Sequence, residues 1–103
     1  MSARRSVFFL APLLLLRLKV MNLPAGADDA RLAPFFRHLL ELNATDIVYG
    51  SYGIEANEVI LSHALELETL DFQELRNSYE SLTMAASSHM AGLAKLIPVA
   101  HEG

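Results

Sequence analysis

The sequence predicts an α+β fold, a short antiparallel sheet in the order β-α-β-β-α with two helices packed on it. Leu14, Leu16, Leu18 and Val20 alternate with Leu15, Arg17, Lys19 and Met21, a period of two that puts the first set on one face of a strand. Two more strand-like runs, 47–54 and 59–67, stand so close in sequence that an antiparallel hairpin joins them. Before and after that hairpin, apolar residues return every three or four positions, as on a helix that covers a core.

The first strand spans 14–21 and ends at Asn22-Leu23-Pro24. Pro24, Gly26 and the Asp28-Asp29 pair mark a turn, and acidic residues there suit the positive end of a following helix. Pro34 is comfortable only in a first helical turn, so the regular helix is expected over 33–42, with Asn43 as its stop. Phe35, Phe36, Leu39, Leu40 and Leu42 give it a broad apolar face. The strand expected at 47–54 holds Tyr49-Gly50-Ser51-Tyr52-Gly53, whose glycines imply a bulge or a close backbone approach.

After the turn Glu55-Ala56-Asn57-Glu58, the residues Val59, Leu61, His63, Leu65 and Leu67 form one face of the next strand. The last helix has the clearest start signal: Asp71 as N-cap, Glu74 three residues on, and Leu70 placed to staple against Leu75. Its apolar stripe is Leu75, Tyr79, Leu82, Ala86, His89, Leu93 and Leu96, and Pro98 ends it.

A chain of 103 residues is one domain, here 1–103, with 14–97 as its core and 1–13 as a segment without an assigned element. Residues 1–27 admit a second reading as a signal peptide: Arg4 and Arg5, the apolar run 7–16, then Ala25-Gly26-Ala27. Arg17 and Lys19 directly behind that run weigh against it, and the run is shorter than the roughly 20 apolar residues of a membrane span. A retained strand and a cytoplasmic location are therefore expected, with export as the alternative and no membrane partner. The absence of cysteine removes disulfides, thiolate metal sites and a cysteine nucleophile.

The net charge of −4 is unevenly spread. Six of the eight basic residues precede His38, whereas ten of the twelve acidic ones follow it. The C-terminal two-thirds should therefore repel nucleic acid and attract a basic partner. His38, His63, His89 and His101 form no metal-ligand spacing, and His63 and His89 are expected as partly buried side chains, each satisfied by one hydrogen bond. Ser51 lies outside a Gly-x-Ser-x-Gly elbow, Gly50 and Gly53 form no phosphate loop, and Glu66, Glu68 and Asp71 show no acid-base spacing. Neither catalysis nor a cofactor or metal is expected.

The phrases Leu39-Leu40-Glu41-Leu42-Asn43 and Leu65-Glu66-Leu67-Glu68-Thr69-Leu70-Asp71, with the aromatic and glycine strand between them, resemble the YbjN-like bacterial group, which shares the fold of the Tir-type type III secretion chaperones. Members of these families usually carry an opening helix and two strands ahead of the strand placed here at 14–21. Either the chain is a shortened member, or residues 1–13 replace part of that region, or a second copy supplies the missing packing surface. The resemblance implies protein clients.

The expected function is therefore non-catalytic binding of a partner protein, of unknown identity, through a sheet edge, an apolar groove and an acidic surface. Candidate contact residues are Tyr49, Tyr52, Leu75, Tyr79, Leu82, Ala86, His89 and Leu93. A regular strand would put Tyr49 and Tyr52 on opposite faces, one inward and one toward the partner. The stripe from Leu75 can cover the sheet or, with Ala85, Ser87, Ser88, Ala91 and Gly92 nearby, meet a second helix in a homodimer. A structural subunit that self-associates and binds no client is the alternative.

Overall fold

The computed structural model describes residues 4–10, 12–47 and 49–98. The chain begins with strands β1 (Arg4–Leu10) and β2 (Leu13–Asn22), followed by helix α1 (Asp29–Thr45). Strands β3 (Ser51–Glu55) and β4 (Glu58–Glu66) come next, then a 3₁₀ turn at Leu67–Thr69 and helix α2 (Phe72–Lys95). All strand pairs are antiparallel, in the order β1-β2-β4-β3.

The expected helix-backed antiparallel sheet is present and is one strand larger, so the element order becomes β-β-α-β-β-α. The N-terminal segment without an assigned element supplies β1, which pairs with β2 from Arg4↔Lys19 to Leu10↔Leu13. Residues 7–16 are apolar almost throughout, so no alternation marks where one strand ends and the next begins. Pro12 breaks the run, and its carbonyl accepts a 2.9 Å bond from the Leu67 N–H at the far end of β4. The segment open to reading as a signal peptide thus contains two strands, one of them a core strand. No helix among the described residues is long and apolar enough to cross a membrane.

Alternation in β2 holds, with Leu14, Leu16, Leu18 and Val20 all buried. Met21, expected on the opposite face, is buried with them because the register shifts between Lys19 and Met21. The extra residue of a bulge turns the strand and reverses the side on which the next residue falls. The core closes over this face with Phe35, Leu39 and Leu42 from α1, Val59, Leu61 and Leu65 from β4, and Leu82, Ala86 and Leu93 from α2. Burying a leucine such as Leu61 or Leu93 completely contributes about 2 kcal/mol.

Helix α1 starts at Asp29, earlier than expected, because the Asp28 carboxylate accepts a 2.8 Å bond from the Arg31 N–H and caps it. Pro34 then falls inside the helix and leaves the Ala30 carbonyl without its donor. Both residues are exposed, so water can serve that carbonyl. The helix also runs past Asn43 to Thr45, whose hydroxyl donates to the Glu41 carbonyl.

The third strand is shorter than expected because Gly50, at φ +84°, turns the chain sharply beside β4. A Cβ there would lie 2.4 Å from the Ser62 carbonyl oxygen, so only glycine fits. Ala56 and Asn57 both have positive φ, 50° and 66°, the geometry of a tight type I′ hairpin turn into β4. Asp71 caps α2 as expected, accepting a 2.7 Å bond from the Glu74 N–H.

Candidate functional site

The two tyrosines of the glycine segment part company. Tyr52 enters the core from β3 and is 6% exposed, whereas Tyr49, just ahead of the Gly50 turn, is 46% exposed. Asn43 holds Tyr52 by its backbone: the Tyr52 N–H donates to Asn43 Oδ1 at 2.7 Å, and Asn43 Nδ2 donates to the Tyr52 carbonyl at 3.2 Å. A side chain on α1 thus takes the place of a further strand along β3. The residue expected to stop the helix instead ties helix to sheet.

The Tyr52 hydroxyl lies 2.9 Å from His89 Nδ1, and His89 Nε2 lies 3.1 Å from Asp46 Oδ2. One tautomer satisfies all three groups: Nε2–H donates to the carboxylate, and Nδ1 accepts the tyrosine proton. The chain joins β3, α2 and the C-cap of α1. Burial pushes the Tyr52 hydroxyl up to about 12, so it stays protonated and serves as a donor rather than a nucleophile. His89 makes two hydrogen bonds where one was expected.

Tyr49 instead packs on His63 of β4, ring centroids 5.5 Å apart and planes inclined by 60°. Among the described residues His63 has no hydrogen bond, against the one expected for it; its partner is the tyrosine ring. Burial lowers the His63 imidazole below the ordinary histidine range, and the Glu74 carboxylate partly offsets this. These rings open onto a groove of about 310 Å³ between β4 and the first turns of α2. On the other flank of α2, Val7, Leu16, Leu18, Tyr79 and Thr83 line a shallow apolar cleft of about 20 Å³, too small for a typical metabolite.

Of the candidate contact residues, Tyr52, Leu82, Ala86 and Leu93 are packed inside the domain at 6%, 4%, 2% and 0% exposure. They cannot meet a partner in this fold, because the stripe they belong to covers the sheet. Leu75 and Tyr79 are half-buried at the edge of that stripe, and His89 is turned toward Asp46. Tyr49, Leu75 and Tyr79 remain as surface residues, and the structure adds Val7, 51% exposed on β1. Sequence reasoning passed over Val7 because it lies in the unbroken apolar run, Asn43 because it read as a helix stop, and Asp46 because it counted only toward the acidic charge. His38 lies 3.8 Å from Glu41 on α1, and His101 lies outside the described residues.

The described residues thus form a four-stranded antiparallel sheet backed by two helices, with an apolar cleft beside its edge strand. Residues 7–98 match the family model CesT_Tir_1, so the chain belongs to this type III secretion chaperone family. Two solved structures share the fold. A chain of the heterodimeric ExoU-SpcU complex from the type III secretion system of Pseudomonas aeruginosa superposes with a TM-score of 0.63 at 14% identity, over 90% of this chain and 73% of that one. A chain of the ExsC-ExsE complex superposes at 0.58 with 21% identity, over 96% and 71%. No curated protein matches the sequence.

Proposed function

We propose that this protein is a non-catalytic binding module that takes an extended segment of a partner protein along the β1 side of its sheet. The observation that carries this reading is the position of β1, which ends the strand order and, among the described residues, has β2 as its one neighbour in the sheet. The free edge of such a strand offers unpaired N–H and C=O groups to an added strand. Val7 and Tyr79 beside it offer apolar surface for the segment's side chains. Family membership supports the reading, and both structural neighbours were solved in complexes with a second protein. The acidic surface would steer a basic partner.

The test is site-specific photo-crosslinking from Val7 in the native host, followed by recovery of partner with the Val7→Lys variant. A single stoichiometric partner, crosslinked at Val7 and lost in Val7→Lys with the circular dichroism unchanged, is expected. Absence of any crosslinked partner, or its equal retention by the variant, refutes the reading. We place the protein in the cytoplasm with its family, and within that family the phrase Leu65 to Asp71 supports kinship with the YbjN-like group.

A second reading, self-association through α2, is favoured by one observation. Ser87, Ser88, Ala91 and Gly92 are all exposed, and nothing lies within 4 Å of a Cβ built on Gly92, so another helix backbone could approach closely. Sedimentation equilibrium that finds a monomer at high concentration removes it.

A further inference from the structure

The groove on the Tyr49 flank of α2 has a composition that the strand-edge reading does not use. One wall is the exposed ring of Tyr49 with His63 packed against it, and the floor includes Leu65. The other wall carries the carboxylates of Asp71 and Glu74. Asp71 spends Oδ1 on the α2 cap and keeps Oδ2 free to accept. Glu74 makes no ion pair among the described residues, and no lysine or arginine lines the groove. The nearest basic residue in sequence, Arg76, is paired with Glu80.

A separate observation points to a ligand. Ser78 is 3% exposed, and among the described residues its hydroxyl makes no hydrogen bond. Ser88 and Thr83 on the same helix each donate to the carbonyl four residues back, the usual solution for a hydroxyl on a helix. Ser78 instead lines the groove together with Tyr49, His63, Asp71 and Glu74. No side-chain oxygen or nitrogen among the described residues is both sealed from solvent and without a partner, so the Ser78 oxygen stays reachable and free to accept a donor.

We propose that this groove receives the guanidinium group of an arginine carried by the partner protein. The inference rests on the binding-module reading above and names the chemistry of one contact in it. A planar cation stacks on the Tyr49 face while its fan of N–H donors reaches the Glu74 and Asp71 carboxylates and the Ser78 oxygen. An ammonium is more strongly hydrated and lacks the plane that matches the ring. At about 310 Å³ the groove has room for the side chain and its aliphatic stem. No three metal-ligating side chains converge among the described residues, which disfavours a metal ion as the occupant. Burial keeps His63 neutral near pH 7, so the carboxylates act without an opposing charge.

The experiment is an NMR titration of the full chain with the peptide acetyl-Ala-Arg-Ala-amide, alongside its citrulline and lysine counterparts. Saturable shifts of the Tyr49, His63 and Ser78 signals are expected with the arginine peptide, and none with the neutral citrulline peptide. Glu74→Gln, which keeps the side-chain shape, should weaken binding about three- to fivefold, and Tyr49→Ala by a similar factor. Absence of saturable shifts, equal response to the citrulline or lysine peptide, or indifference to both substitutions in variants with native spectra overturns the proposal. Failure here with the Val7 crosslink intact removes the arginine contact alone; loss of the crosslink with peptide binding intact removes the strand-edge reading alone.

Discussion

Replacing Tyr52 by phenylalanine deletes one oxygen and keeps the ring in the core. At pH 8 the loss is the bond to His89 Nδ1, and it leaves that nitrogen without a donor on a side chain only 9% exposed. A hydrogen bond of this kind contributes about 1 kcal/mol net, and an acceptor left unserved adds to that, so Tyr52→Phe should lose about 1–2 kcal/mol. The sign of the pH dependence follows from the raised hydroxyl of Tyr52, about 12 in the fold against 10.0 in a free chain. Below pH 10 the tyrosine is protonated in both states and its contribution is complete. Above pH 10 the unfolded chain ionises first, and wild-type stability falls by about 1.4 kcal/mol per pH unit until the folded protein ionises too. The phenylalanine variant has no such loss. Urea denaturation of both proteins should therefore show a gap of about 1–2 kcal/mol at pH 8 that shrinks by about 1.4 kcal/mol at pH 11. A gap that is absent at pH 8, or that stays level to pH 11, refutes the buried hydroxyl and its bond to His89.

Asn43→Ala removes both bonds to the Tyr52 backbone and should cost about 2 kcal/mol, read as a lower urea midpoint with an unchanged slope; a midpoint within error of wild type means that β3 does not need the clamp. Gly50→Ala should destabilise by about 3 kcal/mol or displace β3, because its Cβ meets the Ser62 carbonyl at a positive φ, whereas Gly53→Ala, with open space around it, should change stability little. Equal effects of the two glycine substitutions count against the close approach. In an NMR titration His63 should protonate below the ordinary histidine range, and Glu74→Gln should lower it further, since burial depresses it and the carboxylate raises it. Its preference for the neutral form makes stability complete above about pH 6.5 and reduces it as pH falls below that value. A His63 titration at or above 6.5 contradicts the half-buried ring seen against Tyr49.

Local chemistry alone made several features legible. Asp71 and Glu74 stand at helix-cap spacing and form that cap, since the bond runs between residues three apart and depends on nothing distant. The alternation from Leu14 to Val20 identified a core strand because a period of two has one geometric meaning. The stripe on α2 showed which residues would cover the sheet, and its deepest members, Leu82, Ala86 and Leu93, do so.

Other features depend on residues far apart in sequence, and the tertiary structure alone decided them. An unbroken apolar run carries no period, so β1 became visible only as the partner of β2. Asn43 reads as a helix stop until β3 lies nine residues on with its backbone unpaired on that side. Asp46, Tyr52 and His89 form a hydrogen-bonded chain only because α1, β3 and α2 meet, and the same meeting turns Tyr52 inward and leaves Tyr49 out. Side-chain patterns within one element record which face is apolar. They do not record which other element arrives to cover it, and for this protein that decides which residues are left for a partner.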